Sequence, residues 1–357
     1  MFRKSLILTT FLTVVKLWDL SEHGFDNNYY TSSIAIYRNR AFLTLPRTIC
    51  NLNRSLPTLV EVPWTEDVIT NLLSPFVLRK KLDIVGQNWG NCKQLQDAIS
   101  LDVEPKKPNL WVLDKGNDMC PAKLVYYNLF LNSVQQTCVL TGVARNNLNT
   151  ITIDPQTTEG VKAYIGDAGN NILLVVSLQE FKWWRLNLLE KSEPYMLVSS
   201  SFLAISKSSP VLFMTGWNST EVFALDLDQL RKDEGPLIIE SRTTVTEYYV
   251  TYMGNKLGVS RGLETDQKNG LNYYLLRDFA VAQWNINKAM IAENHNILLQ
   301  SFEKLPYVSQ IFNDQQGIWA LVNPIDPDLC GSDFDAEDFG NVTARIVKLV
   351  RYNKFLL

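Results

Sequence analysis

The sequence predicts an all-β protein, a six-bladed β-propeller closed by pairing of its N- and C-terminal strands. Three observations lead there. An apolar strand, a turn rich in Asp, Asn, Gly or Pro, and a second apolar strand recur six times along the 357 residues. The aromatic residues that mark the second strand of each copy, Phe42, Trp111, Tyr164, Phe213, Tyr274 and Trp319, follow one another at steps of 69, 53, 49, 61 and 45 residues, which bracket the length of a four-stranded blade. Within the copies the apolar residues alternate with period 2, as in Ala163 to Gly166 and Val222 to Leu227, the pattern of half-buried strands rather than helices.

Taken in order, the copies read SIAIYRNRAFLTLP from Ser33, DAISLDVEPKKPNLWVLDKG from Asp97 and ITIDPQTTEGVKAYIGDAGNNILLVVSL from Ile151. They continue as FLAISKSSPVLFMTGWNSTEVFALDL from Phe202, LGVSRGLETDQKNGLNYYLLRDFAVAQWNI from Leu257 and VSQIFNDQQGIWALVNP from Val308. Their connectors, such as Glu104 to Pro108 and Asp266 to Gly270, carry hairpin chemistry. One small twisted sheet cannot bury both faces, whereas a blade between two neighbours can, and a ring leaves no exposed edge. The last strand-like run, Thr343 to Tyr352, and the first, Ser33 to Tyr37, are the ends expected to pair. Helix is expected to be scarce, with a turn or two over Gln94 to Ile99.

Composition fits one large core: 46% of residues are apolar, 11% aromatic and 20% charged, with a net charge of −3. That excludes a disordered chain or a coiled coil and gives no cationic surface for nucleic acid. Only two histidines occur, His23 and His295, too few and too far apart in sequence for chemistry that gathers imidazoles. Both read as loop or surface residues.

Arg3 and Lys4 precede an apolar run from Leu6 to Val15, the charge-then-apolar order of a secretory signal, so residues 1–20 are read as a signal peptide and residues 30–357 as one propeller domain. The run is too short to span a bilayer, and no other stretch is long enough. Sequons at Asn53, Asn218 and Asn341 are candidate glycosylation sites. The five cysteines, Cys50, Cys92, Cys120, Cys138 and Cys330, show no C-x-x-C spacing, which favours structural disulfides over zinc, and the odd count leaves one thiol over within a single chain.

Ordered motifs carry a resemblance. Ala41 to Arg47 (AFLTLPR), Gly90-Asn91-Cys92, Leu110 to Gly116 (LWVLDKG), Met119 to Leu129 (MCPAKLVYYNL), Ala163 to Leu178, Trp184-Arg185, Val281 to Asn285 (VAQWN) and Gly317 to Asn323 (GIWALVN) resemble the Yellow and major royal jelly protein family of insects, whose members are secreted six-bladed propellers. The likeness runs from about Ser33 to about Tyr352. It departs after Arg47, where the family's Gly-Val-Pro turn is replaced by Thr48 to Leu59 with Cys50 and a sequon, and the segment before Ser33 is short. The resemblance implies a Cys92–Cys120 bond, which by loop closure would contribute roughly 3 to 4 kcal/mol. Cys50, Cys138 and Cys330 are left as candidates for a second bridge.

Groups that could carry chemistry are few. Asp114 and Asp167 stand at the same place in successive copies, before Gly116 and Gly169, where an Asx-turn closes a hairpin. Arg185 beside Trp183 and Trp184 reads as a stacked cation between blades. The acidic run Asp326, Asp328, Asp333, Asp335, Glu337 and Asp338 fails the spacing of an EF-hand, and Gly166 to Gly169 fails that of a phosphate loop. No metal or other cofactor is expected.

A propeller's central channel is the default ligand site. Some blood-feeding members of the family bind biogenic amines there, and the resemblance carries that role to Asn323, with Ser309 as an upstream hydroxyl. The expected function is therefore that of a secreted, non-catalytic extracellular protein of insect cuticle, pigmentation or eggshell. Its expected partners are matrix components and a small aromatic amine or catechol. The alternatives are a dopachrome-converting enzyme of melanin synthesis, which would need a carboxyl of near-neutral pKa as base, and an amine carrier.

Overall fold

The alternating segments pair as antiparallel strands in the computed structural model, which describes residues 15–17, 29–48, 53–64, 87–105, 107–155, 160–169, 171–191, 196–235, 245–324, 326–329 and 344–352. A short strand, β1 (Val15–Leu17), comes first. The first unit is β2 (Ser33–Tyr37), β3 (Arg40–Thr44) and β4 (Leu59–Pro63); the second is β5 (Ala98–Val103), β6 (Asn109–Asp114), β7 (Lys123–Asn128) and β8 (Ser133–Val139). The third is β9 (Leu148–Asp154), β10 (Lys162–Asp167), β11 (Ile172–Ser177) and β12 (Lys182–Glu190), and the fourth β13 (Phe202–Ile205), β14 (Val211–Thr215), β15 (Glu221–Asp226) and β16 (Val245–Asn255). The fifth is β17 (Ser260–Thr265), β18 (Gly270–Leu275), β19 (Ala280–Asn285) and β20 (His295–Gln300). The sixth holds β21 (Tyr307–Asn313), β22 (Gly317–Asn323) and β23 (Arg345–Arg351).

Each unit is an antiparallel meander. The third and fourth merge into one eight-stranded sheet because their outermost strands, β12 and β16, pair in parallel from Arg185↔Val245 to Glu190↔Val250. All six marker aromatics lie in second strands and are buried, from Phe42 and Tyr164 at 0% exposure to Phe213 at 3%. Three hairpin turns place Asn132, Asn171 and Asn269 at positive φ, a conformation that asparagine tolerates better than most residues.

The pairing of the chain's ends differs from the expectation. Ser33–Tyr37 does not pair with the C-terminal run; it is the first strand of its own hairpin, in register with Arg40–Thr44. The strand that completes the last sheet is β1, with Val15↔Val347 and Leu17↔Arg345, giving the order β1-β23-β22-β21. A two-residue turn at Arg38 and Asn39 lets β2 meet β3 locally, and local closure costs less chain entropy than a pairing across three hundred residues. β1 lies inside residues 1–20, the segment read from sequence as a signal peptide. The helical turn expected over Gln94–Ile99 is also absent. Ala98 and Ile99 already belong to β5, and Asp114 holds the preceding stretch open by accepting the N–H groups of Gln96 (2.8 Å) and Asp97 (2.9 Å).

Apolar clusters lie between successive units. Phe42 and Leu59 of the first pack with Leu101 and Val112 of the second; Leu113 and Leu124 of the second with Ile165 and Val176 of the third. Tyr164 and Leu186 of the third pack with Met214 and Phe223 of the fourth, and the series continues through Phe213 with Trp284 and Tyr274 with Val322. A sixth cluster joins the first unit to the last, where Trp64 meets Trp319 edge-on at 5.4 Å. Burial of each such side chain contributes about 1.5–3 kcal/mol, and an edge-to-face aromatic pair about 0.5–1.5 kcal/mol more.

Candidate functional site

The first strands of the six units lie side by side, β2 by β5, β5 by β9, β9 by β13, β13 by β17, β17 by β21 and β21 again by β2. Side chains stitch them together. The Ser100 hydroxyl and the Asp102 carboxylate accept the N–H groups of Ile151 (3.1 Å) and Ile153 (2.8 Å), and Thr150 donates to Ser201 O (2.8 Å). The Thr265 hydroxyl donates to Ile205 O and the Asn313 amide to Thr265 O. Gln310 Oε1 accepts the Ile34 N–H at 2.6 Å, carrying the sixth unit back to the first.

Between these strands lies a cavity of about 110 Å³, to which all six contribute. One end carries aromatic rings and a cation: Tyr30, Tyr307, Phe202 and Trp217 surround Arg261, whose guanidinium sits 3.7 Å from the centre of the Trp217 ring. Tyr30 and Tyr307 share a hydrogen bond, and burial pushes both phenols well above their usual range while the Arg261 charge opposes that rise. Along β17 a bulge at Gly262 (φ 64°) separates Arg261 from Glu264, a twist that glycine accepts without strain.

Two carboxyls also line the cavity. Glu264 is bonded by the Asn313 amide and lies 3.5 Å from Lys207, and burial pushes it up to about 7 against the pull of that cation. Asp102 is pushed up to about 6 by burial, despite the N–H groups of Ile153 and Val103 on its oxygens. Lys207 in turn is held charged by Glu264. A carboxyl in this range exchanges protons near neutrality, as a general base requires.

The residues singled out in the sequence fall in different places. Ser309 lines the cavity. Asn323 lies behind it, fully buried: its amide donates to Ser309 Oγ (3.0 Å) and Thr31 O (2.9 Å), and its Oδ1 accepts from Thr31 N (2.7 Å) and Thr31 Oγ1 (2.9 Å). Asp114 and Asp167 stand apart from the cavity, each closing an Asx-turn onto Gly116 (2.8 Å) and Gly169 (2.7 Å). Asp114 also forms a buried ion pair with Lys123 at 2.8 Å. Arg185 lies over Trp183 at 5.8 Å and donates to Gly142 O in the connector between β8 and β9.

His295 is held by Ile291 O at 2.8 Å; His23 lies outside the described residues. Cys92 and Cys120 are bonded, with Cα atoms 5.0 Å apart. Cys138 is a free, buried thiol and so forms no second bridge; Cys50 and Cys330 lie outside the described residues. Asn53 and Asn218 are exposed, and Asn341 lies outside the description. Of the acidic run, Asp326 and Asp328 are described and face Arg261, Asp328 at 3.8 Å; Asp333, Asp335, Glu337 and Asp338 are not.

The sequence reading missed Arg261, Glu264 and Asp102. Their signal was a charged residue inside a strand whose neighbours are apolar or small, Ser-Leu-Asp-Val in β5 and Arg-Gly-Leu-Glu in β17.

The family model described as Major royal jelly protein matches residues 105–354. No curated protein sequence matches the chain. Among solved structures, U3-55K aligns with a TM-score of 0.49 at 9% identity, over 90% of this chain and 81% of that one. A nidogen/laminin complex aligns at 0.46 and 10% identity over 64% and 72%. PorZ of Porphyromonas gingivalis aligns at 0.44 and 12% identity, over 82% of this chain and 30% of that one. Among the described residues no helix is long and apolar enough to cross a membrane.

Proposed function

On the premise that the chain belongs to the major royal jelly protein family, we propose that it is a secreted six-bladed propeller, closed through β1 and β23, that holds a small aromatic amine or catechol in its central channel. The carrying observation is the cavity itself, which has aromatic walls and two half-buried carboxyls instead of an apolar plug. Glu264 and Asp102 offer negative charge to an ammonium and the rings offer π faces. Ser309, oriented by Asn323, offers a hydroxyl. Glycans at Asn53, Asn218 and Asn341 and the Cys92–Cys120 bond belong to the same extracellular reading, with action in insect cuticle, pigmentation or eggshell and matrix components as neighbours. Calorimetry with dopamine and serotonin tests it: heat of binding and a thermal shift are expected, and absence of both removes the reading.

The same carboxyls favour a second reading, dopachrome conversion, in which Glu264 or Asp102 takes a proton from the substrate. Turnover of dopachrome well above background that Glu264→Gln or Asp102→Asn abolishes would replace the binding role by an enzymatic one.

A further inference from the structure

One group in the channel has unfilled bonding capacity. Arg261 is only 6% exposed, and its Nε and Nη1 have no hydrogen-bond partner. Its third nitrogen, Nη2, lies 3.8 Å from Asp328 Oδ2, on a side chain that is itself 79% exposed, a long contact on the solvent side. Withdrawing a guanidinium from water with donors unfilled is unfavourable. The arrangement makes sense if an acceptor arrives from the cavity.

The surroundings say what kind of acceptor. Stacking on Trp217 at 3.7 Å occupies a face of the guanidinium, and its N–H groups lie in its plane, so the donors are not directed at the ring. The Tyr30 and Tyr307 hydroxyls stand close enough to feel its charge. Other charges facing this end are Asp326 and Asp328, with Glu264 three residues along β17. A polyanion such as a phosphate ester would meet all of these acids, whereas a single carboxylate takes up the free N–H donors with the least repulsion. The cavity, at about 110 Å³, is of the order that admits one aromatic ring.

We propose that Arg261 is an anion-recognition residue and that the channel's ligand is a small aromatic carboxylate, its carboxylate on the Arg261 N–H groups and its ring beside Trp217. This rests on the reading of the channel as a ligand site and keeps its catechol ring, but puts a carboxylate in place of the ammonium as the group recognised.

The test is calorimetry on the full chain at pH 7 with two catechols that differ at one end, 3,4-dihydroxyphenylacetate and dopamine. The acid is expected to bind at least tenfold tighter than the amine. Arg261→Gln should weaken the acid tenfold or more, leave dopamine unchanged or tighter, and Arg261→Lys should recover part of the loss. Asp328→Asn, an exposed position whose change spares the core, should tighten the acid several-fold, and it serves should Arg261→Gln fail to fold. Dopamine binding without the acid would overturn the carboxylate assignment and leave the channel reading standing; acid binding without dopamine would retire the amine and keep the channel as a ligand site; binding of neither would overturn both. Acid binding that is indifferent to both substitutions would also sink the assignment.

Discussion

Asn323 grips Thr31 from 292 residues away: its Oδ1 accepts both the Thr31 N–H (2.7 Å) and the Thr31 hydroxyl (2.9 Å), and its amide returns a bond to Thr31 O (2.9 Å). The pair ties the segment before β2 to the end of β22 and fixes the hydroxyl of Ser309 on the way. Loss of the side chain strands buried polar groups on Thr31. Asn323→Ala is expected to cost on the order of 3 kcal/mol, read as a drop in the denaturation midpoint. A variant as stable as the parent would show that these bonds are dispensable.

Glu264 and Asp102 give the protein a pH signature. Their pKa values are raised in the fold, to about 7 and about 6, above the unfolded carboxyl range near 4. Their neutral forms therefore favour the folded state below about pH 4, and that stability is lost as pH rises through 6 to 7. Unfolding free energy from these sites should fall across pH 4 to 7 by on the order of 5 kcal/mol. Glu264→Gln should flatten the decline, with denaturant titrations at pH 4, 6 and 8 as the measurement. An unchanged slope in the variant would contradict the assignment.

Cysteine chemistry should separate the described thiols. Burial pushes the Cys138 thiol up to about 11, so alkylation of the native protein should leave its peptide unlabelled and denaturation should expose it. Cys92 and Cys120 should appear as one cross-linked peptide. Replacing both by Ala should cost roughly 3 to 4 kcal/mol.

The disulfide also constrains Gly116. That residue has φ +72°, and a Cβ there would come within 2.2 Å of Cys120 O. Gly116→Ala is expected to destabilise by at least about 2 kcal/mol, more than strain at φ alone. A calorimetric melting temperature within a degree of the parent would refute it.

β1 predicts the mature N-terminus. With the strand in place β23 has partners on both sides; without it, Arg345–Arg351 becomes an open edge. N-terminal sequencing of the protein purified from its native source should find Val15–Leu17 present. Deleting residues 1–17 should lower the melting temperature and promote association. A mature chain that starts after Leu17 and is equally stable would overturn the role of β1.

Sequence by itself determined the β class, the six repeats and the second strand of each, because period-2 alternation and a buried aromatic per repeat are local signals. Phe42, Trp111, Tyr164, Phe213, Tyr274 and Trp319 all lie in the strands they mark. It also placed the Asx-turns of Asp114 and Asp167, set by residues two apart, and through the family's motifs the Cys92–Cys120 bond. Only the tertiary structure decided the channel and the last pairing. Asp102, Arg261, Glu264 and Ser309 come together because first strands from different units converge on one cavity, and nothing in a strand's own alternation says which neighbour will share that space. For the same reason Asn323, read from sequence as a channel residue, proved to spend all four bonds inside the protein. β1 took the partner expected for Ser33–Tyr37, because a two-residue turn gave that strand a nearer one.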